Sequence, residues 1–348
     1  PGEEQNVSFD LKAFSAFCDY HLNFIYLDES GHEVAKEQLE LRKNYLFTLT
    51  ESDDTPEVAD TEDKLTFNYN DIVLVFDKQK ATLVSYKQNG NELINDKPAA
   101  RQGFVPNIFR ALLDNDNAKR ESWLKMGYNN LDILPKGLDF SEDKGVYEVE
   151  TSFSLVSGEN KLYNAYITYN IFKGGNIKVS AFLDPQLIAD LDTEIPRFGL
   201  MLELPKQYRN VEYFGLGESE NLNDLKVHAA VGVYNTTVED MYEPYIKPQD
   251  SGNRTEVRYL KVTDSNGSGL MFGFSENYFS FSLRTHTQKL LQDAKHREDI
   301  FDQDTTVLSI DGFMRGTGTS SCGPDTLEKY IVDAKDGLQF EFFITPIK

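Results

Sequence analysis

Three short stretches of this chain concentrate side chains that could do chemistry: residues 106–116, 244–254 and 316–324. Each combines Pro or Gly with polar residues and with an aromatic ring or a thiol, and none has the pattern of a helix or strand interior. Proteins commonly place binding and catalytic groups on loops of this kind, carried by a rigid scaffold. The sequence therefore predicts that the three loops build or border a site.

The first stretch ends in Asp114-Asn115-Asp116, whose oxygens could accept hydrogen bonds from sugar hydroxyls. The same side chains suit an Asx turn, in which they bind their own backbone, and the local chemistry alone favours that turn. A retaining glycosidase needs two carboxylates about 5–5.5 Å apart. Among 57 Asp and Glu residues, the sequence singles out no such pair, so it nominates no catalytic residue in this chain.

The third stretch contains Cys322, one of two cysteines in the chain. A nucleophilic thiol needs a partnered base, and none of the five His residues lies near Cys322 in sequence. Two distant cysteines with scattered His residues have no zinc-ligand spacing, and no metal site is predicted. We interpret Cys322 as a packed or cleft-lining thiol, and the low cysteine content favours a reducing compartment.

Three further residues have alternative interpretations. His286 or His296 could act as a general acid in sugar ring opening, although a structural, hydrogen-bonded histidine is the favoured interpretation. Trp123 could stack on a sugar ring, but it falls on the apolar face of a short predicted helix, where packing is favoured.

Composition bounds the class of protein. A length of 348 residues suits two or three domains, and 18 Tyr with 24 Phe favour β structure. The net charge of −22 would repel nucleic acids and anionic membrane surfaces. No apolar run is long enough to span a bilayer, so neither nucleic acid nor membrane is an expected partner.

Alternating apolar and polar residues predict strands along most of the chain. Residues 7–15, 20–27 and 44–49 have this pattern, followed by an acidic stretch, residues 51–64, that we interpret as a solvated linker. The strand pattern resumes at residue 65 and continues to the end, with helical periodicity only at 118–126 and 287–294. Without βαβ alternation, a large antiparallel sandwich over residues 65–348 is the predicted fold.

Taken together, the motifs resemble the C-terminal region of family 2 glycoside hydrolases of the β-galactosidase type. The resemblance covers nearly the whole chain, because six motifs occur in the family's order. Residues 22–38 also resemble the end of the family's immunoglobulin-like domain. The six motifs comprise the residues Pro106, Asn107, Phe109, Arg110 and Ala111; the triplet Asp114–Asp116; the strand 196–200; the set Gly215, Gly217, Glu220 and Asn221; the loop 244–254; and the loop 316–324.

The resemblance implies an all-β chain in which residues 1–50 are the end of an immunoglobulin-like sandwich. Residues 51–64 then form the linker, and residues 65–348 form a galactose-mutarotase-like supersandwich. It implies that the catalytic carboxylates lie on a preceding (β/α)8 barrel that this chain does not contain. This chain would then line one side of the cleft in an enzyme that hydrolyses lactose-type β-galactosides with retention.

The resemblance also implies a role for particular residues. Asp114, Asn115 and Asp116 would face the substrate, and so would Ser321, Cys322 and Gly323. Arg110, Tyr245 and Arg254 would hold the loops. No cofactor is expected here, since the family's magnesium and sodium ions bind mainly elsewhere, and family members are usually cytoplasmic and often homo-oligomeric.

The chain departs from the family pattern at three positions. Glu218 and Leu225 stand where Pro and Arg are common, and Cys322 stands where many members have a Trp that stacks on the sugar. Two other functions stay open: an aldose epimerase, with a His acid and a Glu base, and a stand-alone carbohydrate-binding module.

Overall fold

A computed structural model describes residues 4, 6, 8, 15–94, 102–186, 188 and 191–347. The chain divides into two compact units, residues 1–48 and 49–348. Within the described ranges, no helix has the length and apolar character needed to cross a membrane. The strands are β1 (Tyr20–Leu27), β2 (Glu33–Arg42), β3 (Glu57–Asp60), β4 (Lys64–Asn68), β5 (Ile72–Asp77), β6 (Thr82–Gln88), β7 (Asn91–Glu92), β8 (Val105–Asn107), β9 (Asp132–Asp143), β10 (Val146–Ser157), β11 (Asn160–Ile171), β12 (Ile177–Pro185), β13 (Arg197–Pro205), β14 (Asn210–Gly217), β15 (Ala230–Thr237), β16 (Arg254–Val257), β17 (Tyr259–Thr263), β18 (Gly269–Phe274), β19 (Phe279–Arg284), β20 (Thr305–Met314) and β21 (Leu338–Ile347), and the α-helices are α1 (Arg120–Met126) and α2 (Gln288–Asp293).

The first unit contains an antiparallel hairpin of β1 and β2. Its turn is held by the Asp28 carboxylate, which accepts backbone N–H groups of Ser30 and His32, each at 2.9 Å. The strand predicted over residues 20–27 is confirmed. The strand predicted over 7–15 lies almost wholly outside the described residues, and residues 44–49 form no strand.

The second unit consists of three antiparallel sheets and confirms the predicted all-β supersandwich. A nine-stranded sheet has the order β15-β14-β17-β18-β21-β12-β11-β10-β9. One five-stranded sheet has the order β16-β19-β20-β13-β8, and the other has the order β3-β4-β5-β6-β7. The core lies between the sheets because alternate side chains of each strand point inward, as in β5 and β11.

Aromatic side chains join the sheets. The ring centroids of Phe342 on β21 and Phe279 on β19 are 6.5 Å apart, and those of Phe76 on β5 and Tyr169 on β11 are 5.1 Å apart. Each such pair adds about 0.5–1.5 kcal/mol beyond its buried area. The many Phe and Tyr side chains of the sequence therefore serve mainly to pack the sheets against each other.

The acidic stretch predicted as a linker is in part a strand. Residues Glu57–Asp60 form β3, which pairs with β4 at the edge of its sheet. The Asp54 carbonyl also accepts the Gly174 N–H at 2.8 Å, so this stretch is fastened to the sandwich. The prediction was wrong because acidic residues and a lack of apolar side chains are features that exposed edge strands share with linkers.

Candidate functional site

The first loop is built around a buried ion pair between Arg110 and Asp116. The Asp116 carboxylate accepts from Arg110 Nη2 at 2.9 Å and from the Leu113 N–H at 2.8 Å, and both charged side chains are fully buried. Arg110 also donates to the Arg315 carbonyl at 3.1 Å, at the start of the third loop. The prediction that Asp116 faces a substrate is therefore corrected. Asp116 is a structural residue, because both of its oxygens accept hydrogen bonds inside the fold.

The third loop is held by a residue that the sequence analysis missed, Asp224. Its carboxylate accepts the N–H groups of Thr317 at 3.0 Å and Gly318 at 2.8 Å, and the Thr326 hydroxyl at 2.8 Å. Burial works to raise the pKa of Asp224, but these donors outweigh burial and lower the pKa below its ordinary value. An ionised carboxylate thus fixes the backbone of residues 317–318.

The structure brings the first and third loops together. The Asn115 side chain donates from Nδ2 to the Gly318 carbonyl at 2.9 Å, and the Ser320 hydroxyl donates to the Asn115 carbonyl. The Asn117 side chain donates to the Ser320 carbonyl at 3.4 Å. We call the surface formed by residues 114–117 and 317–323 the paired loops. Two segments separated by about 200 residues therefore form one continuous surface.

The outer edge of the paired loops carries the predicted residues of the third stretch. Ser321, Cys322 and Gly323 are all exposed, and Cys322 is a free thiol. The backbone of Cys322 is fixed by its N–H, which donates to the Thr319 carbonyl at 3.0 Å. This edge can present small polar groups and a thiol to a ligand, and Cys322 places no large ring there.

The second loop is fastened by Glu220. Its carboxylate accepts the Tyr245 hydroxyl at 2.7 Å and the Gly252 N–H. Burial raises the pKa of the Glu220 carboxyl, and the two hydrogen bonds offset part of that rise. Gly252 has φ +78°, and a Cβ there would press on the Met241 carbonyl, so only glycine suits this position.

Arg254 ends the second loop inside the fold. It is buried, and it donates from Nε to the Tyr213 hydroxyl at 3.1 Å and from Nη1 to the Asn253 carbonyl at 3.2 Å. Tyr245 is part exposed, but its hydroxyl is committed to Glu220. The contacts of Arg254 and Tyr245 are therefore those of residues that hold a loop in place.

A buried charge network lies beneath the second loop. Arg197 donates to Asp311 from Nε at 2.9 Å and lies 3.9 Å from Asp250, which also accepts from Arg284. Burial opposes the charged guanidinium, but the carboxylates of Asp311 and Asp250 outweigh it and raise the pKa of Arg197. The network ties the loop to β13, β19 and β20. In the sequence, the charges on these strands stand at the start of β13, at the end of β19 and within β20.

The three loops border a cavity of about 220 Å³, lined by both polar and apolar groups. Asp114, Asn115, Glu220 and Tyr245 contribute to its wall, as do Ser251 and Asn253. In the described part of the chain, Ser251 Oγ and Asn253 Oδ1 are buried without a hydrogen-bond partner. Such a wall suits neutral hydroxylated molecules, since it offers several acceptors and few fixed cations.

The alternative candidates for chemistry lie elsewhere. His286 is buried edge-on against Tyr242 at 5.1 Å, and burial and Arg284 lower its pKa to about 4. His296 is exposed on a surface turn. An acid for sugar ring opening would need an open pocket beside a carboxylate, and neither histidine has that setting. Trp123 is fully buried and donates to the Glu194 carbonyl at 2.7 Å, which makes it a packing residue. The described residues also contain no cluster of three or more His, Cys, Asp or Glu side chains that could hold a metal ion.

Comparison with known proteins identifies the family. Residues 68–344 match the family described as beta galactosidase small chain. The beta-galactosidase of Actinobacillus pleuropneumoniae is 31% identical over 334 residues, which are 93% of this chain and 31% of that protein. The beta-galactosidase of Halalkalibacterium halodurans is 25% identical over 357 residues, which are 100% of this chain and 35% of that protein. The chain thus spans about a third of the length of these curated relatives.

Among solved structures, galactose 1-epimerase from Lactobacillus acidophilus is similar over 95% of this chain and 99% of its own, with a TM-score of 0.36 and 10% identity. A 4-alpha-glucanotransferase from Thermococcus litoralis is similar over 86% of this chain and 40% of its own, with a TM-score of 0.41 and 6% identity.

The fold and loops define an antiparallel β-supersandwich with loop-built polar surfaces at its edge. The chain belongs to the beta-galactosidase small chain family.

Proposed function

We propose that this chain is the non-catalytic, C-terminal cleft wall of a family 2 β-galactosidase. The parent enzyme would hydrolyse terminal β-galactosides such as lactose with retention, using two carboxylates on a barrel outside this chain. The observation that carries the proposal is the joining of the paired loops through Asn115, Gly318 and Ser320. A surface locked by these contacts and by Asp224 is pre-organised, and its edge residues are free to contact a sugar.

Asp114 and Asn115 are the acceptors we assign to substrate hydroxyls, with Ser321, Cys322 and Gly323 along the same wall. Asp114 contributes to the cavity wall and pairs with Lys247. The carboxylates in the cavity wall already have partners: Glu220 accepts from Tyr245 and Gly252, Asp250 accepts from Arg284, and Asp114 pairs with Lys247. The loops are therefore suited to positioning a sugar rather than to cleaving it.

The wider setting follows from the same proposal. We expect the parent to be a cytoplasmic homo-oligomer, and we expect any magnesium or sodium ions to bind mainly outside this chain. Nucleic acids and membranes are not expected partners, because the net charge is −22.

The test is an assay of purified chain with a nitrophenyl β-galactoside, alone and after co-expression with the barrel-bearing part of its parent. We expect no turnover above the buffer rate from the chain alone and measurable turnover from the combined protein. Turnover by the chain alone would show that the reaction takes place within it and would overturn the proposal.

A further inference from the structure

A second cavity lies away from the paired loops, where the chain crosses between two sheets. The turn between β18 and β19, residues 275–278, leads from the nine-stranded to the five-stranded sheet. Strands β20 and β21 complete the wall, with Gly312 and Phe313 on one side and residues 339–341 on the other. We call this space, of about 540 Å³, the crossover cavity. It shares no lining residue with the cavity at the three loops.

Its aromatic walls are fixed by contacts beneath them. The ring of Tyr278 lies over the Arg258 guanidinium, whose Cζ is 4.0 Å from the ring centroid, and Phe274 meets the same ring edge-on at 4.8 Å. Phe313 stacks on buried Phe198 with centroids 6.4 Å apart. Rings held in this way lose little freedom when a ligand covers them, so binding there costs less entropy.

The floor of the crossover cavity depends on a glycine. A Cβ at Gly312 would run into the Phe340 side chain. Phe340 can therefore lie close against β20, and it meets Phe198 edge-on at 5.3 Å. Gly312, Phe313 and Phe340 together line this part of the cavity.

The polar side of the cavity is anionic. Glu341 is held by Lys178 at 2.7 Å, by the Ser180 hydroxyl at 3.3 Å and by the Ser275 hydroxyl. Burial works to raise the pKa of Glu341, but Lys178 and Ser275 outweigh it and lower the pKa, so the carboxylate stays ionised. Glu276 lies exposed at the mouth. The exposed amides of Asn277 and Gln339 complete the rim.

We propose that the crossover cavity is a binding site for a neutral saccharide, separate from the cleft wall. Sugar rings place C–H faces on aromatic side chains and donate hydroxyl hydrogen bonds to carboxylates, and this cavity offers both. An anionic ligand would meet Glu276 and Glu341, while a purely apolar ligand would desolvate them without compensation. The volume falls within the range of about 300–1,000 Å³ that small-molecule sites occupy.

The test is calorimetry on the intact protein with galactose, lactose and maltose, backed by saturation-transfer NMR. We expect dissociation constants in the millimolar range. Phe313→Ala should weaken binding about tenfold through lost stacking. Because Phe313 also packs on Phe198, the second variant is Glu276→Gln, which changes an exposed residue and should weaken binding several-fold without affecting folding.

Two controls separate this site from the paired loops. Asn115→Ala alters the paired loops and tests whether the measured binding takes place there instead. Phe140→Ala removes a partly exposed aromatic ring on edge strand β9 and should leave the affinity unchanged. The proposal is overturned if no sugar binds, or if Asn115→Ala abolishes binding while Phe313→Ala and Glu276→Gln leave it intact. It is also overturned if tetramethylammonium binds in place of the sugars, since the rings and carboxylates would then form a cation site.

Discussion

Asp224 provides the most quantitative test of how the third loop is held. The variant Asp224→Asn keeps the size of the side chain and one acceptor oxygen, but it turns the other oxygen into an N–H donor. Asp224 accepts from Thr317 at 3.0 Å, Gly318 at 2.8 Å and the Thr326 hydroxyl at 2.8 Å. Hydrogen bonds to a charged group contribute about 1.5–3 kcal/mol each. Because Asp224 is only half-buried and one acceptor survives, we expect a net loss of about 2 kcal/mol.

Hydrogen exchange read by mass spectrometry measures this loss directly. A local loss of about 2 kcal/mol speeds exchange of the Thr317 and Gly318 amides by about 30-fold. Asp336→Asn, at an exposed carboxylate in the turn before β21, serves as the matched control and should leave exchange unchanged. Unchanged protection of residues 317–318 in Asp224→Asn would refute the assignment of Asp224 as the anchor.

The direction in which pH changes the effect of Asp224→Asn can also be predicted. The pKa of Asp224 is lowered in the folded protein, so its stabilising effect is fully present above the unfolded value of about 3.9. The effect is lost as pH falls through the lower, folded pKa. The difference in exchange between the wild-type protein and Asp224→Asn, compared at each pH, should therefore shrink below about pH 3.9.

Three further variants test two buried groups, Asp116 and His286, by thermal and urea unfolding. Asp116→Ala leaves Arg110 buried without its partner and should cost about 3–5 kcal/mol, whereas Asp114→Ala, at an exposed pair, should cost under about 1 kcal/mol; equal costs would contradict the structural role of Asp116. The pKa of His286 falls from 6.5 to about 4 on folding, so the protein should lose up to about 3 kcal/mol as pH drops through that interval. His286→Phe, which keeps the edge contact with Tyr242, should flatten this dependence; an unchanged pH profile in the variant would show that another group titrates.

Much of the fold could be predicted because local signals agreed with the global structure. The pair Asn89-Gly90 is typical of a two-residue hairpin, and both residues have the positive φ that such turns require, 50° and 81°. The helix predicted over 287–294 is observed as α2, whose N-terminus is capped by the Thr287 hydroxyl accepting from the Leu290 N–H. Strands β10, β11 and β12 fall within the predicted sandwich, and their alternation is readable because one face of each is more buried than the other.

The errors have physical causes. The strand pattern is weakest in β9, where Pro135 and Gly137 interrupt it, and both are tolerated because β9 is an edge strand with a register shift opposite them. The strand predicted over 44–49 was wrong because alternation alone does not supply a pairing partner. In both places the outcome was set by position in a sheet, which local composition does not encode.

The candidate site was predictable as a set of loops but not as individual roles. Spacing in the sequence cannot show that Asp116 turns inward to Arg110 while neighbouring Asp114 stays exposed. Nor can it show that Asp224, about 90 residues away, anchors Thr317. These are long-range contacts between polar residues, and only the packed sheets bring them within hydrogen-bond distance.

The central claim is that the paired loops form one wall of a galactoside cleft. The direct measurement is kcat/KM for a nitrophenyl β-galactoside in the combined enzyme carrying Asn115→Ala, which removes the 2.9 Å hydrogen bond to the Gly318 carbonyl. The account predicts a fall of about tenfold or more, as for loss of a positioning contact of about 1.4 kcal/mol, with Asp336→Asn unchanged. A kcat/KM for Asn115→Ala equal to that of the unmodified combined enzyme would contradict it.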